Sequence, residues 1–459
     1  MSTREDSGRL IDVGKIIDES ELNRVSLSVI ILCGLIMLMD GYDYGIISVA
    51  APAIMKQWSI SSTSFGTVFS AAFVGYLFGA LLFGALSDLI GRKKTLILGA
   101  FVFSLGTLLV YFSNSVASLI PMRVFTGIGI GGAVPCALTL TSEYSSREGR
   151  GKYVSVMYSG FLVGNVLAGI IAGFLLKPNG FGWRPLFLIG FIAPVIAIVL
   201  LAIFLPESAR WLAFRQENPK FHQKLAAITA KIRPDMHFAD NAQFFAEGGV
   251  KQKQSYEKLF EGKLAWMTPL IWTYYLISSI AVFFFGSWSP KLLVSKGFAD
   301  STAAFITASS SILIAIGCLA SGFIYDKFGF RRGSLLYVVA AIGVIFMGGL
   351  PLAGFVALLF VTGFFINTAH MDVTILAPII YPSSCRNKGA GTAIAVARIG
   401  AIIGPSLGGL LLDTRLPMSV LLGLVAIPLS ISAILCYIAG KEYDFYFAPL
   451  YSGAAKPKE

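Results

Sequence analysis

The chain has 459 residues, of which 56% are hydrophobic and only 13% are charged. A soluble protein carries about 25% charged residues, so the composition excludes an ordinary soluble domain and indicates a membrane protein. The formal net charge of +11 does not indicate nucleic-acid binding, because the basic residues lie in short loops between apolar segments.

Residues 1–24 form a polar tail of mixed charge without the pattern of a signal peptide. Apolar segments of a length suited to a bilayer then follow, at 25–54, 66–86, 95–112, 119–141, 153–176 and 185–205. Residues 206–266 are the longest polar stretch, which we interpret as a cytoplasmic linker with short helices. Six more apolar segments lie at 267–289, 302–324, 334–352, 355–380, 390–412 and 419–440, before a tail at 441–459.

The predicted fold is therefore an all-α membrane protein of twelve transmembrane helices in two six-helix pseudo-repeats, 25–205 and 267–440. An internal repeat supports this prediction, because the segment 84–94 (GALSDLIGRKK) recurs at 322–332 (GFIYDKFGFRR). Parallel repeats of six helices are typical of carriers that rock about a site near the middle of the membrane.

The orientation follows from the placement of basic residues in the short loops. One set of alternate loops holds Arg92, Lys93, Lys94, Arg147, Arg150, Lys152, Lys327, Arg331, Arg332, Arg386 and Lys388. The opposite loops hold only Lys56, Lys177, Arg184, Lys291, Lys296 and Arg415. The positive-inside rule then predicts that both termini lie in the cytoplasm.

Charged residues inside the first half are candidates for proton coupling. Asp40 and Asp43 lie three residues apart, which places both carboxylates on one face of the first helix. Arg123 lies at a compatible depth in the fourth helix. Since a lone charge in the membrane is costly, we expect an ion pair that loosens when the acid takes up a proton.

The second half contains Arg398 and Asp372 at about the same depth, and His370 one step deeper. Two interpretations stay open, in which Asp372 neutralises Arg398 or Arg398 binds an anionic substrate. Positions i and i+2 of a helix point about 200° apart, so His370 and Asp372 cannot both face one cavity.

Further candidates for substrate binding are weaker on sequence grounds. They are Tyr76 in the second helix, Asn165 in the fifth, and Trp272 and Tyr275 in the seventh, whose aromatic residues also include Tyr274, Phe283, Phe284 and Phe285. Aromatic residues in membrane helices more commonly lie at the interface or face lipid.

The duplicated loop predicts a cytoplasmic gate. Asp88 can accept hydrogen bonds at a facing helix N-terminus, with Arg92 beside it. In the repeated loop, Asp326 stands at the position of Asp88 and Arg331 at that of Lys93, and both are further gate candidates. Glu143 ends the fourth helix near Arg147 and Arg150. This acid forms either a gating ion pair or an ordinary solvated terminus.

Nothing in the sequence indicates an enzyme, a metal site or a cofactor other than the proton. The five cysteines show no paired spacing, and two of the three histidines, His222 and His237, lie in the predicted linker.

Several motifs resemble one transporter family over nearly the whole chain. They include the segments 84–94, 123–135 (RVFTGIGIGGAVP) and 206–212 (PESARWL), which resemble the major facilitator superfamily. The segments 38–43 (LMDGYD), 287–290 (SWSP) and 397–405 (ARIGAIIGP) resemble its aromatic acid:proton symporters.

The resemblance implies a carrier in the inner membrane that imports a small aromatic carboxylate with a proton. Because a single chain suffices for the transport pathway, we expect a monomer. It also implies functional roles for Asp40, Asp43, Asp88 and Arg398. Helix 10 departs from the family in carrying His370 and Asp372, where the benzoate carriers tend to be uncharged. A sugar or neutral-solute porter, or a metabolite exporter, of the same fold therefore remains an alternative.

Overall fold

The computed structural model describes residues 10–234, 243–245, 256–382, 385–414 and 416–447. The ends of both predicted tails, His237 with most of the residues around it in the predicted linker, and Arg415 lie outside the described residues.

Twelve helices of the described chain are long and apolar enough to cross a membrane, and we number them 1 to 12. The first six are Arg24–Trp58, Ser62–Ile90, Arg92–Tyr111, Val116–Glu143, Arg150–Leu175 and Arg184–Phe204. The second six are Leu264–Ser295, Asp300–Phe328, Gly333–Met347, Leu352–Ile380, Arg386–Asp413 and Met418–Glu442.

The helices pack in the same pattern in both halves, which confirms the predicted pair of six-helix repeats. Helix 1 packs on helix 5 and helix 2 on helix 4, while helix 7 packs on helix 11 and helix 8 on helix 10. Helices 3 and 6, like helices 9 and 12, form the remaining pair of each half. The two halves meet where helix 2 packs on helix 11, helix 5 on helix 8, and helix 1 on helix 7.

Glycines on helix 4 allow these helices to approach closely. A Cβ atom on Gly127 would lie 2.0 Å from the carbonyl oxygen of Ala72 on helix 2, and one on Gly129 would lie 2.2 Å from the amide nitrogen of Phe103 on helix 3. Small residues are favoured at such contacts because the backbones themselves touch.

The linker and the N-terminal segment form short elements on one end of the first half. The linker contains helices Ala209–Ala213 and Pro219–Ile232 and a 3-10 turn, Glu257–Phe260. A strand at Leu10–Asp12 pairs in parallel with Gln243–Phe245, and a helix, Val13–Asp18, follows it. The sequence predicted only a polar tail here. We call this end of the molecule the linker face and the opposite end the far face.

The seam between the halves is closed toward the far face. Asp413 on helix 11 accepts hydrogen bonds from the backbone N–H groups of Ser62 and Thr63 at the start of helix 2, at 2.8 and 2.7 Å. The Ser70 and Ser406 hydroxyls meet at 2.7 Å one turn or more further in. Toward the linker face, no ion pair joins the two halves within the described residues.

Candidate functional site

A buried ion pair lies inside the first half. The Arg123 Nη1 atom of helix 4 donates to both oxygens of Asp43 on helix 1, at 3.0 and 2.8 Å, and the two side chains are only 3% and 2% exposed. The Thr107 hydroxyl of helix 3 lies 3.4 Å from the same carboxylate. The acid and the base are thus sealed among three helices of one half and do not face the seam.

Arg398 lies at the centre of the molecule, between the halves. Its guanidinium stacks 4.1 Å above the Tyr76 ring of helix 2. The side chains of Asp40, Tyr158 and Tyr275 lie close enough to the guanidinium to interact with it electrostatically. Asp40 is half-buried, and within the described residues no carboxylate oxygen comes within ion-pair distance of the guanidinium. The centre therefore holds a cation whose hydrogen-bond donors remain available to a bound anion.

A layer of aromatic rings covers this centre on its far-face side. Tyr44 lies one helical turn beyond Asp40 on the same face of helix 1. Its ring centroid lies 6.4, 5.8 and 6.2 Å from those of Phe73, Phe161 and Phe283, which come from helices 2, 5 and 7. Phe73 and Phe283 also meet edge to face at 4.9 Å across the seam. These rings form both a lid and an apolar wall.

Asp372 does not neutralise Arg398. Its carboxylate is fully buried within the second half, where Oδ2 accepts hydrogen bonds from the Tyr274 hydroxyl at 3.2 Å and from the Cys436 thiol at 2.6 Å. His370 points elsewhere, as the i, i+2 spacing predicts, and its Nδ1 atom lies 2.5 Å from the Ser278 hydroxyl. Of the two interpretations left open by the sequence, the pairing of Asp372 with Arg398 is therefore not the one found in this structure.

The other candidates for substrate binding lie in three different parts of the molecule: the centre, the seam and the linker. Tyr76 and Tyr275 line the centre beside Arg398, and the Tyr275 ring contacts the His370 ring at a tilt of 60°, with centroids 5.3 Å apart. Asn165 accepts a hydrogen bond from Ser311 of helix 8, at 3.2 Å, within the seam. Trp272 packs edge to face against Phe260 of the linker, so its ring contacts the linker rather than the centre.

The loop between helices 2 and 3 is held by the linker. Asp88 pairs with Arg92, four residues on, at 3.2 Å, while the Asp88 backbone carbonyl accepts from the Trp211 indole at 3.1 Å and from Arg215 at 2.8 Å. The Glu207 carboxylate accepts from the Lys93 backbone N–H at 3.0 Å. These contacts all stay within the first half and its linker.

The partner of Glu143 differs from the expectation. Its carboxylate lies 4.0 Å from Arg92 and accepts a hydrogen bond from the Ser208 hydroxyl. Arg150 binds Asp18 of the N-terminal helix at 2.6 Å instead, and the Arg147 backbone donates to the Asp18 carbonyl. The N-terminal segment, for which only a polar tail was predicted, thus binds the Arg150 side chain and the Arg147 backbone.

The repeated positions of the second half do not reproduce the arrangement of the first. Asp326 is exposed, and Arg331 donates to the Tyr437 hydroxyl of helix 12 and stacks on its ring at 4.6 Å. The Asp88 and Arg92 pair of the first repeat has no counterpart, because Phe330 stands at the position of Arg92, and no ion pair joins Asp326 to Arg331 in the described part of the chain.

Several residues of the site were missed by sequence reasoning. Tyr44, Phe73, Phe161 and Tyr158 lie in apolar helices where aromatic residues are common, so nothing in their local pattern distinguishes them. Only the i, i+4 spacing of Asp40 and Tyr44 could have pointed to a shared face. In the described ranges, no group of three or more His, Cys, Asp and Glu side chains is placed to hold a metal ion.

Comparison with known proteins agrees with this architecture. Residues 33–380 match the family model described as Major Facilitator Superfamily. The gallate transporter of Pseudomonas putida is 32% identical over 91% of this chain and 92% of its own length. The 4-hydroxybenzoate transporter of Acinetobacter baylyi is 31% identical over 93% and 94%. The crystal structure of a D-xylose-proton symporter, at 18% identity, covers 94% of this chain and all of its own, with a TM-score of 0.68.

Both sequence relatives align from end to end, and the solved structure shares the fold. The family and these relatives are transporters rather than enzymes. This chain therefore belongs to the major facilitator superfamily of membrane transporters and, within it, to the aromatic acid transporters.

Proposed function

We propose that the protein carries a small aromatic monocarboxylate into the cell together with protons, by alternating access. The observation that carries this proposal is the unpaired guanidinium of Arg398, held on the Tyr76 ring at the centre of the molecule. A planar guanidinium offers two parallel donors that match the two oxygens of a carboxylate.

The aromatic layer supports an aromatic rather than an aliphatic substrate. A carboxylate bound to Arg398 leaves the rest of its molecule beside Tyr44, Phe73 and Phe283 on the far-face side. Rings packed edge to face or offset gain roughly 0.5–1.5 kcal/mol beyond the area they bury. The named substrates of the two relatives, gallate and 4-hydroxybenzoate, are compounds of this shape.

Asp40 is the proposed coupling acid. It lies within electrostatic range of Arg398, so an ionised Asp40 competes with the substrate carboxylate for the same cation. A proton on Asp40 removes that competition and leaves Arg398 to the substrate. Asp43 remains paired with Arg123 and holds helices 1 and 4 together while Asp40 exchanges its proton.

We further propose that the linker face is cytoplasmic, as the basic loops indicate. The far-face contacts of helices 2 and 11 then close the outside, and the conformation releases substrate inward. The transport route lies within one chain, so we propose a monomer in the bilayer.

The test is uptake into proteoliposomes with an imposed inward proton gradient and a panel of aromatic acids, aliphatic acids and sugars. We expect gradient-driven accumulation of a benzoate-type acid. Sugar accumulation in its place would refute the substrate assignment, and export driven by the gradient would refute the direction.

Variants test the assigned roles. Charge-assisted hydrogen bonds contribute about 1.5–3 kcal/mol, so Arg398→Gln should weaken substrate binding roughly 10- to 100-fold. Asp40→Asn should abolish accumulation against a gradient while preserving exchange of labelled for unlabelled substrate. Lys152→Gln, which removes an exposed cation on the linker face, is the control and should match the wild type.

A further inference from the structure

A buried carboxylate in the second half has no role in the site described above. Asp372 of helix 10 is 0% exposed. Its Oδ2 atom accepts from Tyr274 and Cys436, while its Oδ1 atom has no hydrogen-bond partner among the described residues. When a buried acid is ionised, both of its oxygens require hydrogen-bond donors, and here one oxygen lacks a donor.

No cation compensates this carboxylate within the described residues. The groups that face it are neutral: Tyr274 from helix 7, Tyr325 from helix 8, Tyr337 and the backbone at Gly333 from helix 9, and Cys436 from helix 12. Arg331, which precedes Gly333 by two residues, does not compensate the carboxylate, because it is bound to Tyr437. Buried charges are ordinarily paired or neutralised, and here the group available to neutralise the acid is a proton.

The two donors to Oδ2 act in the opposite sense. Hydrogen bonds from Tyr274 and Cys436 favour the ionised carboxylate, while burial without a cation favours the protonated one. Burial and the two hydrogen bonds therefore act on the protonation of this acid in opposite directions. A group that must load and release a proton during a transport cycle needs this balance.

Groups with exchangeable protons lie between the central site and the acid. The His370 ring contacts the ring of Tyr275, which lies beside Arg398, at a centroid distance of 5.3 Å. The His370 Nδ1 atom lies 2.5 Å from the Ser278 hydroxyl. The Tyr337 hydroxyl makes no hydrogen bond of its own in this conformation. It lies beside the Ser278 and Tyr274 hydroxyls, so rotation about its C–O bond can direct its proton to either.

We propose that Asp372 is a second proton-binding site, loaded from the central cavity through His370, Ser278, Tyr337 and Tyr274. One O–H bond forms on the carboxylate when the proton arrives and breaks when it leaves to water. The relay groups each pass one proton on and retain none. This inference rests on the proposed proton-coupled function and adds a second proton to the one carried by Asp40.

The inference has a measurable electrical consequence. One proton with one monocarboxylate moves no net charge, whereas two protons move one positive charge in each cycle. Uptake by the wild type should then respond to membrane potential as well as to pH. At equilibrium an inside-negative potential of about 100 mV should raise the wild-type accumulation ratio by roughly 50-fold.

The experiment measures uptake in proteoliposomes under a potassium diffusion potential with valinomycin, without a pH gradient and then with one. In Asp372→Asn, whose amide keeps an acceptor for Tyr274, we expect the response to potential to disappear while the response to the pH gradient remains. Asp372→Glu should restore the response to potential. Glu19→Gln, which removes an exposed carboxylate, should behave as the wild type.

Each outcome decides between the two proposals. A wild type that follows the pH gradient but ignores the potential overturns the second site and leaves the proposed function intact. Potential-driven uptake that survives in Asp372→Asn also overturns it. Substrate exchange without any gradient-driven accumulation in the wild type overturns the proposed function itself. If Asp372→Asn is poorly folded, Asp372→Ser provides a second neutral replacement, judged by retained substrate exchange.

Discussion

The Asp43 and Arg123 pair offers a sharp test of how the first half is held together. Replacing Asp43 with Ala leaves the Arg123 guanidinium buried, at 3% exposure, without its partner. The two charged groups lie 2.8–3.0 Å apart. At an effective dielectric constant of about 20, that separation corresponds to an attraction of roughly 5–6 kcal/mol.

Much of that attraction offsets the cost of removing both ions from water. Asp43→Ala removes the attraction but leaves the cost of burying the Arg123 guanidinium. Breaking a buried pair in this way costs about 3–5 kcal/mol. The double replacement, Asp43→Ala with Arg123→Met, removes both charges and should be considerably more stable than Asp43→Ala alone.

The assay is thermal unfolding of the purified protein in one detergent, at one scan rate, for the wild type, both single variants and the double variant. We expect both single variants to unfold well below the wild type and the double variant to recover a large part of the loss. Losses that simply add in the double variant would show that the two side chains are not coupled, and the account of a sealed pair would be wrong.

Two glycine substitutions test the closed far face and the helix 2–3 loop. A Cβ atom on Gly286 would lie 2.0 Å from the Tyr44 hydroxyl oxygen, so Gly286→Ala should hinder closure of the far face and increase labelling of a cysteine placed in the seam. Gly423→Ala, where nothing lies within 4 Å, is its control, and equal labelling in both would contradict the assignment. Gly91 has φ +102° and ψ 158°, a region that is essentially restricted to glycine, and its Cβ would meet Glu207. Gly91→Ala should therefore destabilise the fold by about 1–3 kcal/mol in thermal unfolding, and a loss no larger than that of Gly84→Ala, where the space is open, would refute this reasoning.

The helices could be predicted from sequence because each depends on a local property. A run of about twenty apolar residues is sufficient to identify a membrane span, and the repeat at 84–94 and 322–332 placed the two halves. Depth could also be read, because the rise per residue is constant along a helix. Arg123 was expected at a depth compatible with the acids of helix 1, and it lies in contact with Asp43.

The direction of a side chain around the helix axis was much harder to predict. Helix 10 is apolar on every face apart from a few polar positions, so its sequence does not distinguish the side that faces Arg398 from the side that faces Tyr274 and Cys436. Only packing against helices 7, 9 and 12 decides this. The pairing of Glu143 failed for a related reason. Its actual partners, Arg92 and Ser208, are distant in sequence.

The charges of Asp40, Asp43, Arg123 and Arg398 suggest why the proposed carrier couples the proton to the substrate. In the empty carrier, Asp40 and Asp43 balance Arg123 and Arg398. A substrate anion alone would give this group one net negative charge, and a proton alone would give it one net positive charge. Both together restore neutrality. Since an uncompensated charge inside the membrane is costly, the halves close more readily around the empty site or the doubly loaded one. Coupling then follows from electrostatics, without a direct bond between proton and substrate.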